Sequence, residues 1–297
     1  MKEVNIPSYL YLPLKISTNS NILFHYTNID AIFSIFKQEK LWFSKSDFLN
    51  DPSEIHYIQD VLNEVCDQLQ LSMGAKEFKR EISKLFSREH PLPKDVYILS
   101  LTDNSDSLTL WSNYSEFVGY NIGLNISSLI SSLENQHISY NHGKVVYDRK
   151  NQKRIIEQEL KIFYNYWSMI DSNQKLEQLQ LLNALFNRMF IYSIFFKKSP
   201  FYQEEEYRVA LLFDNVATNN NSNNHHKFPV CFRTFNEVLI PYIEVPILNN
   251  EGFLPIESIT IGPKNTIDIA TEGLKYFLKV KKYDFVDVQK SNIPLRY

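Results

Sequence analysis

Glycine is scarce in this chain, at 7 of 297 residues. Neither G-x-G-x-x-G nor G-x-x-x-x-G-K occurs. A Rossmann dinucleotide site or a P-loop needs glycine where backbone closes on phosphate. That excludes a dehydrogenase of that type, a P-loop NTPase and a typical protein kinase. There are only two cysteines, Cys66 and Cys231, far apart and in no C-x-x-C pair. No disulfide framework or structural zinc ribbon can be built from them, and a reducing, cytoplasmic setting is expected. No run approaches the roughly 20 apolar residues that span a bilayer. The opening MKEVNIPSYLYLPLKI carries Pro7 and Pro13 inside its apolar part and lacks the continuous core of a signal peptide. With a net charge of -3, no global field recruits nucleic acid or an anionic membrane. No G-x-S-x-G elbow marks a hydrolase.

What is present is an ordinary globular composition, 44% hydrophobic and 22% charged. Aromatics are abundant, with 21 Phe and 18 Tyr, enough to line both a core and a stacking pocket. The length suits one large domain or two small ones.

Periodicity orders the chain as follows. ILFHYT (22–27) reads as a strand, followed by a helix with Ile29, Ile32, Phe33 and Phe36 at helical spacing, capped by Thr27 or Asn28. LWFS is a second strand. NDPSE opens a helix with Asp51 as cap, Pro52 at the first position and Glu54 at the third. A further helix spans Lys76 to Phe86. VYILSLTD, VGYNIGLNI and KVVYD read as strands, with short helices in SLTLWSNY and from Ser128. Long helices cover about 150–170 and 174–197, and Pro200 closes the second. EYRVALLF, VCFRTF, LIPYIEVPI, ITIGP and YDFVDV are late strands, with a helix near 266–279. The tract NNNSNNHH (219–226) is a polar loop. The expected fold is α+β, a single domain over 1–297 with mainly antiparallel sheets and a helical insertion at about 150–198.

Several constellations can carry chemistry. FYQEEEYRVALLF (201–213) places three acids before an apolar run. Read as a strand, it puts Glu204, Glu206 and Arg208 on one face. A partly buried carboxylate beside an arginine stays ionised and fixed in direction, which suits stabilising an oxocarbenium-like transition state. A charged strand end in water is the plainer alternative. FHYT puts His25 and Thr27 on one face, where His25 either binds a ligand or is a satisfied core histidine. Trp111 and Tyr114, at i and i+3, present two rings together, for stacking or for packing. Arg296 near the chain end is either solvated or a phosphate ligand. His225, His226 and Cys231 lie close in sequence but in an Asn-rich loop, and no metal is expected there.

Taken in order, HYT, LWFS…FLNDPSE, LSLTDNSDSLTLWSNY…VGYNIGLN, FYQEEEYR, IGP and SNIPLR resemble the uncharacterised bacterial domain of unknown function "twenty-nine seventy-one" family. The likeness runs from about 22 to 297, and F-x-x-E-x-E-Y-R (Phe201, Glu204, Glu206, Tyr207, Arg208) is its most specific piece. That resemblance implies company with abortive-infection and phage-defence proteins, and a partner protein from a defence operon. HYTNIDAIFSIFKQEKL is also similar to the opening of NAD-dependent ADP-ribosyltransferases of the DNA-modifying toxin type, with Glu39-Lys40 where that group has glycine. Those enzymes combine His or Arg on an early strand, an aromatic or Ser/Tyr in the middle and Glu on a late strand. This second resemblance implies a split, mainly antiparallel ADP-ribosyltransferase-like sheet and NAD as substrate without a metal. It assigns His25 and Thr27 to the adenosine-side ribose, and Trp111 or Tyr114 to nicotinamide. Glu206, or Glu204, is the catalytic carboxylate, with Arg208 beside it. The acceptor would be nucleic acid, protein or water. A catalytically silent module that binds a ligand or nucleic acid through the same cleft is the alternative.

Overall fold

The computed structural model describes residues 21–49, 54–68, 75–85, 94–214, 227–235, 237–265, 267 and 269–295. These form an α+β protein whose residues group into two compact units.

The first unit is helical and draws on the described parts of 49–95 and 145–202. It contains α2 (Glu54–Gln68), α3 (Ala75–Leu85), α6 (Arg149–Met169) and α7 (Lys175–Phe195). The apolar stripe of α2 (Tyr57, Ile58, Val61, Leu62, Val65) and that of α6 (Ile156, Leu160, Phe163, Trp167) recur at three- and four-residue spacing. They close a core with Leu181, Leu185 and Met189 of α7. Asp148 caps α6, its side chain accepting from the Asn151 amide at 2.7 Å. The buried Gln152 amide donates to the Val146 and Lys197 carbonyls and accepts from Tyr57 Oη. It thereby ties the segment before α6 to the segment after α7 through their backbone carbonyls.

The second unit, the described parts of 16–48, 96–144 and 203–297, holds the sheet. Its strands are β1 (Ile22–Thr27), β2 (Lys40–Lys45), β3 (Lys94–Thr102), β4 (Tyr120–Asn125), β5 (Tyr140–Lys144), β6 (Glu206–Asp214), β7 (Val230–Phe235), β8 (Val238–Pro246), β9 (Ile256–Ile261) and β10 (Asp287–Lys290). The order is β10-β9-β4-β1-β3-β2-β8-β7, with β6 paired to β3 and β5. Only β9 and β10 run parallel among the pairs whose register is defined. The branch at β3 positions the site. β1 meets it at Thr102, opposite Phe24; β2 meets it at Tyr97 and Ile98; β6 also pairs with it.

Helices α1 (Ile29–Gln38), α4 (Leu108–Ser115), α5 (Ile126–Asn135) and α8 (Ile269–Val280) complete this unit. Asn28, rather than Thr27, caps α1, its Oδ1 accepting from the Ala31 amide at 2.9 Å. The helix buries Ile32, Ile35 and Phe36, whereas Ile29 and Phe33 are exposed. It ends on Glu39 at φ 56, the left-handed conformation that a helix end favours and that glycine adopts most readily. Leu23, Leu99, Leu101, Tyr207, Val209 and Ile243 meet in one large core. Tyr26, Leu110 and Trp111 form a smaller one under α4.

Candidate functional site

The three acids of FYQEEEYRVALLF do not enter a strand together. Ser199–Glu204 is a 3-10 helix, Glu205 turns the chain at φ 45, and β6 begins at Glu206. The expected alternation therefore fails between Glu204 and Glu206, because strand geometry has not yet begun. It holds between Glu206 and Arg208. Arg208 Nε donates to Glu206 Oε1 at 2.9 Å and Nη2 to Oε2 at 2.8 Å. Both residues are buried, at 6% and 1% exposure. A two-pronged guanidinium contact fixes the carboxylate in direction as well as charge. The other two acids have partners of their own. Tyr114 Oη donates to Glu204 Oε1 at 2.9 Å, and Asn104 Nδ2 donates to Glu205 Oε2 at 3.0 Å.

Ser100, on β3, joins this pair to β1. Its hydroxyl donates to Glu206 Oε1 at 2.6 Å. Its carbonyl lies 3.0 Å from His25 Nδ1. The registered pairing of β1 with β3 is Phe24 opposite Thr102, and the imidazole takes up the carbonyl two residues back along β3, that of Ser100. A carbonyl only accepts, so Nδ1 carries the proton. Burial holds the His25 pKa below its ordinary value; the Ser100 contact opposes that, and the charge of Arg233 adds to it. The imidazole is therefore neutral near pH 7, and its Nε2 is an acceptor.

Trp111 and Tyr114 part company. Trp111 is wholly buried at 0% exposure, edge-on to Tyr26 at 4.8 Å, with Nε1 donating to Asp106 Oδ1 at 2.6 Å. It is a core residue with no room for a nicotinamide ring. Tyr114 is 44% exposed and stays beside the acids through Glu204. Tyr26 Oη donates to the Asn104 carbonyl and accepts from the Ser107 amide, and burial pushes its pKa up to about 12. Thr27 is buried at the end of β1, opposite Tyr120, and the close approach there requires glycine next in line: a Cβ on Gly119 would stand 2.4 Å from the Thr27 carbonyl.

The structure thus links His25, Glu206 and Arg208 through Ser100, and pairs Glu204 with Tyr114 just before β6. Ser100, unmarked in the sequence, is the connector between His25 and Glu206, and Asn104, also unmarked, holds Glu205. Ser100 sits in an otherwise apolar run, VYILSLT, and a lone hydroxyl among buried leucines needs a partner. That was the available signal. Asp51, Pro52, the side chain of Glu54, His225, His226 and Arg296 lie outside the described residues. Among the described residues there is no cluster of three or more His, Cys, Asp or Glu that could hold a metal ion. No helix among them is long and apolar enough to cross a membrane.

Residues 110–209 match the family model described as "Protein of unknown function (DUF2971)". The matched stretch runs from α4 to the start of β6, so it contains Tyr114, Glu204, Glu206 and Arg208 but neither His25 nor Ser100. No curated protein and no solved structure matches the chain.

Proposed function

We propose that this chain is an ADP-ribosyltransferase-like enzyme that uses NAD as substrate, acting as an effector in bacterial phage defence or toxicity. The supporting observation is the line His25–Ser100–Glu206, which runs from an early strand through a middle one to a late one. In the departure of nicotinamide, the C1′–N bond breaks and its electron pair leaves with the base. Positive charge then spreads over the ribose C1′ and ring oxygen. The Glu206 carboxylate, held by Arg208 and Ser100, supplies fixed negative charge where that cation develops. The acceptor, a nucleic-acid, protein or water nucleophile, bonds to C1′ and loses its proton. Neutral His25 offers Nε2 to a hydroxyl of the adenosine-side ribose, and Tyr114 is the ring at hand for nicotinamide. No metal takes part.

The low exposure of Glu206, already held by Ser100 and Arg208, favours a second reading: a catalytically silent module that binds a ligand or nucleic acid through the same residues. Calorimetry of the full chain with NAD tests the first. Saturable binding supports it; no heat at millimolar NAD removes it and leaves the silent module.

A further inference from the structure

The register of β2, β8 and β7 puts a second set of side chains on the sheet face that Ser100 shares. Trp42 lies opposite Glu244, Ser44 opposite Tyr242, Tyr242 opposite Cys231, and Arg233 opposite Ile240, two residues along. Residues paired across antiparallel strands point to the same side. Ser44 is also opposite Ile98, and Ser100 is two residues beyond it. The alternate residues Leu41, Phe43, Ile243 and Val245 turn into the core.

Three features of this face ask for a ligand. Arg233 donates through Nη2 to Ser44 Oγ at 3.1 Å and has no carboxylate partner among the described residues. The surrounding protein desolvates its guanidinium enough to pull its pKa below the ordinary value, although the residue as a whole is exposed. Glu244, the acid on the same face, is already paired with Lys40 at 3.4 Å. Trp42 is half-buried and lies over the buried Tyr242, ring centroids 4.7 Å apart. Its indole N–H is buried and finds no acceptor among the described residues. An uncompensated cation beside an aromatic platform is the pairing that a phosphate bearing a heterocyclic base satisfies.

We infer that Arg233, Ser44 and the Trp42–Tyr242 pair form a nucleoside-diphosphate subsite. Arg233 and Ser44 hold the diphosphate, and Trp42 carries the base. Resting on the NAD reading above, this assigns the adenosine diphosphate half of the dinucleotide to β2, β7 and β8. The charge of Arg233 already reaches His25.

The probes are ADP and inorganic pyrophosphate, titrated by calorimetry into the full-length wild type and three variants. Arg233→Ala, on the exposed β7–β8 hairpin, should weaken both probes about tenfold or more, the loss of a charge-assisted hydrogen bond. Trp42→Leu should weaken ADP but leave pyrophosphate unchanged, and Glu206→Gln should leave both unchanged. Circular dichroism confirms that each variant is folded, and Arg233→Lys supplies a second reading should Arg233→Ala fail to fold. Wild type that binds neither probe, or Arg233 variants that bind ADP like wild type, overturns the subsite. Nicotinamide release from NAD, assayed in parallel, reports separately on the enzyme reading. Release with unaltered ADP binding by Arg233→Ala would sink the subsite alone.

Discussion

Ser100 and Glu206 are 106 positions apart in the chain and 2.6 Å apart between hydroxyl and carboxylate oxygens. The serine thereby orients a buried carboxylate from a neighbouring strand while its own carbonyl holds the His25 ring. In the proposed reaction it is a positioning residue: it touches Glu206 and His25 rather than the substrate. Ser100→Ala is expected to lower kcat for nicotinamide release about tenfold or more with little change in KM, because a hydrogen bond to a charged acceptor is lost. Ser100→Thr, which keeps the hydroxyl, should restore most of it. A change confined to KM would argue that the serine only shapes binding.

The Glu206–Arg208 pair predicts a coupling measurable without any substrate. Removing one partner of a buried ion pair strands the other charge, at a cost of about 3–5 kcal/mol. Arg208→Met and Glu206→Gln should each shift the urea midpoint strongly downward, and the double variant should lose much less than the sum. Additive losses in the cycle would mean that the two side chains are not energetically paired.

His25 predicts a pH dependence of stability. Its folded pKa lies below the unfolded value of 6.5, chiefly through burial. The unfolded chain therefore takes up a proton first as pH falls. The stability held by the neutral ring is complete above about pH 6.5 and is lost as pH drops from there towards the folded value. The drop in unfolding free energy between about pH 7.5 and 5.5 should be smaller in His25→Asn than in wild type. Equal drops would show that the ring is as readily protonated in the folded chain as in the unfolded one.

Trp111 predicts the opposite pattern to a ligand-stacking residue. Its N–H shares Asp106 with the Ser291 hydroxyl at 2.7 Å and the Asn292 amide at 2.9 Å, so one carboxylate ties α4 to the segment after β10. Trp111→Phe leaves that carboxylate short of a donor and opens space in a full core. A loss of about 1–3 kcal/mol in stability is expected, with the NAD affinity of the folded fraction unchanged. Weakened NAD binding at full stability would return the indole to the site.

Much of this was legible in the sequence. The stripe and cap of α1 and the long helical segments at about 150–170 and 174–197 match α1, α6 and α7 within a few residues, the Asp51 cap read for the next helix lies outside the described residues, and the apolar runs marked β1, β2, β3, β6 and β8. Two strand readings slipped for identifiable reasons. KVVYD looks the better strand, but β5 is YNHGK at 140–144, a poor intrinsic former that is strand because β6 pairs along it. Val146 makes only an isolated bridge to Phe196. YDFVDV contributes only its last residues to β10, since Tyr283 turns into the core and its hydroxyl accepts from the Leu254 amide. At the site, Glu206 and Arg208 were readable because alternation is local. Ser100 was not, because its meaning depends on which strands flank β3. Trp111 and Tyr114, one turn apart, looked equivalent; only the packing of α4 over Tyr26 separates them.

The most direct test is the rate of nicotinamide release from NAD by the purified full-length chain, compared with Glu206→Gln at a temperature where circular dichroism shows both folded. A measurable rate in wild type that falls by about a hundredfold or more in the variant is the expected result. Release by Glu206→Gln at the wild-type rate would contradict the account, because the charge held by Arg208 and Ser100 would then have no part in breaking the glycosidic bond.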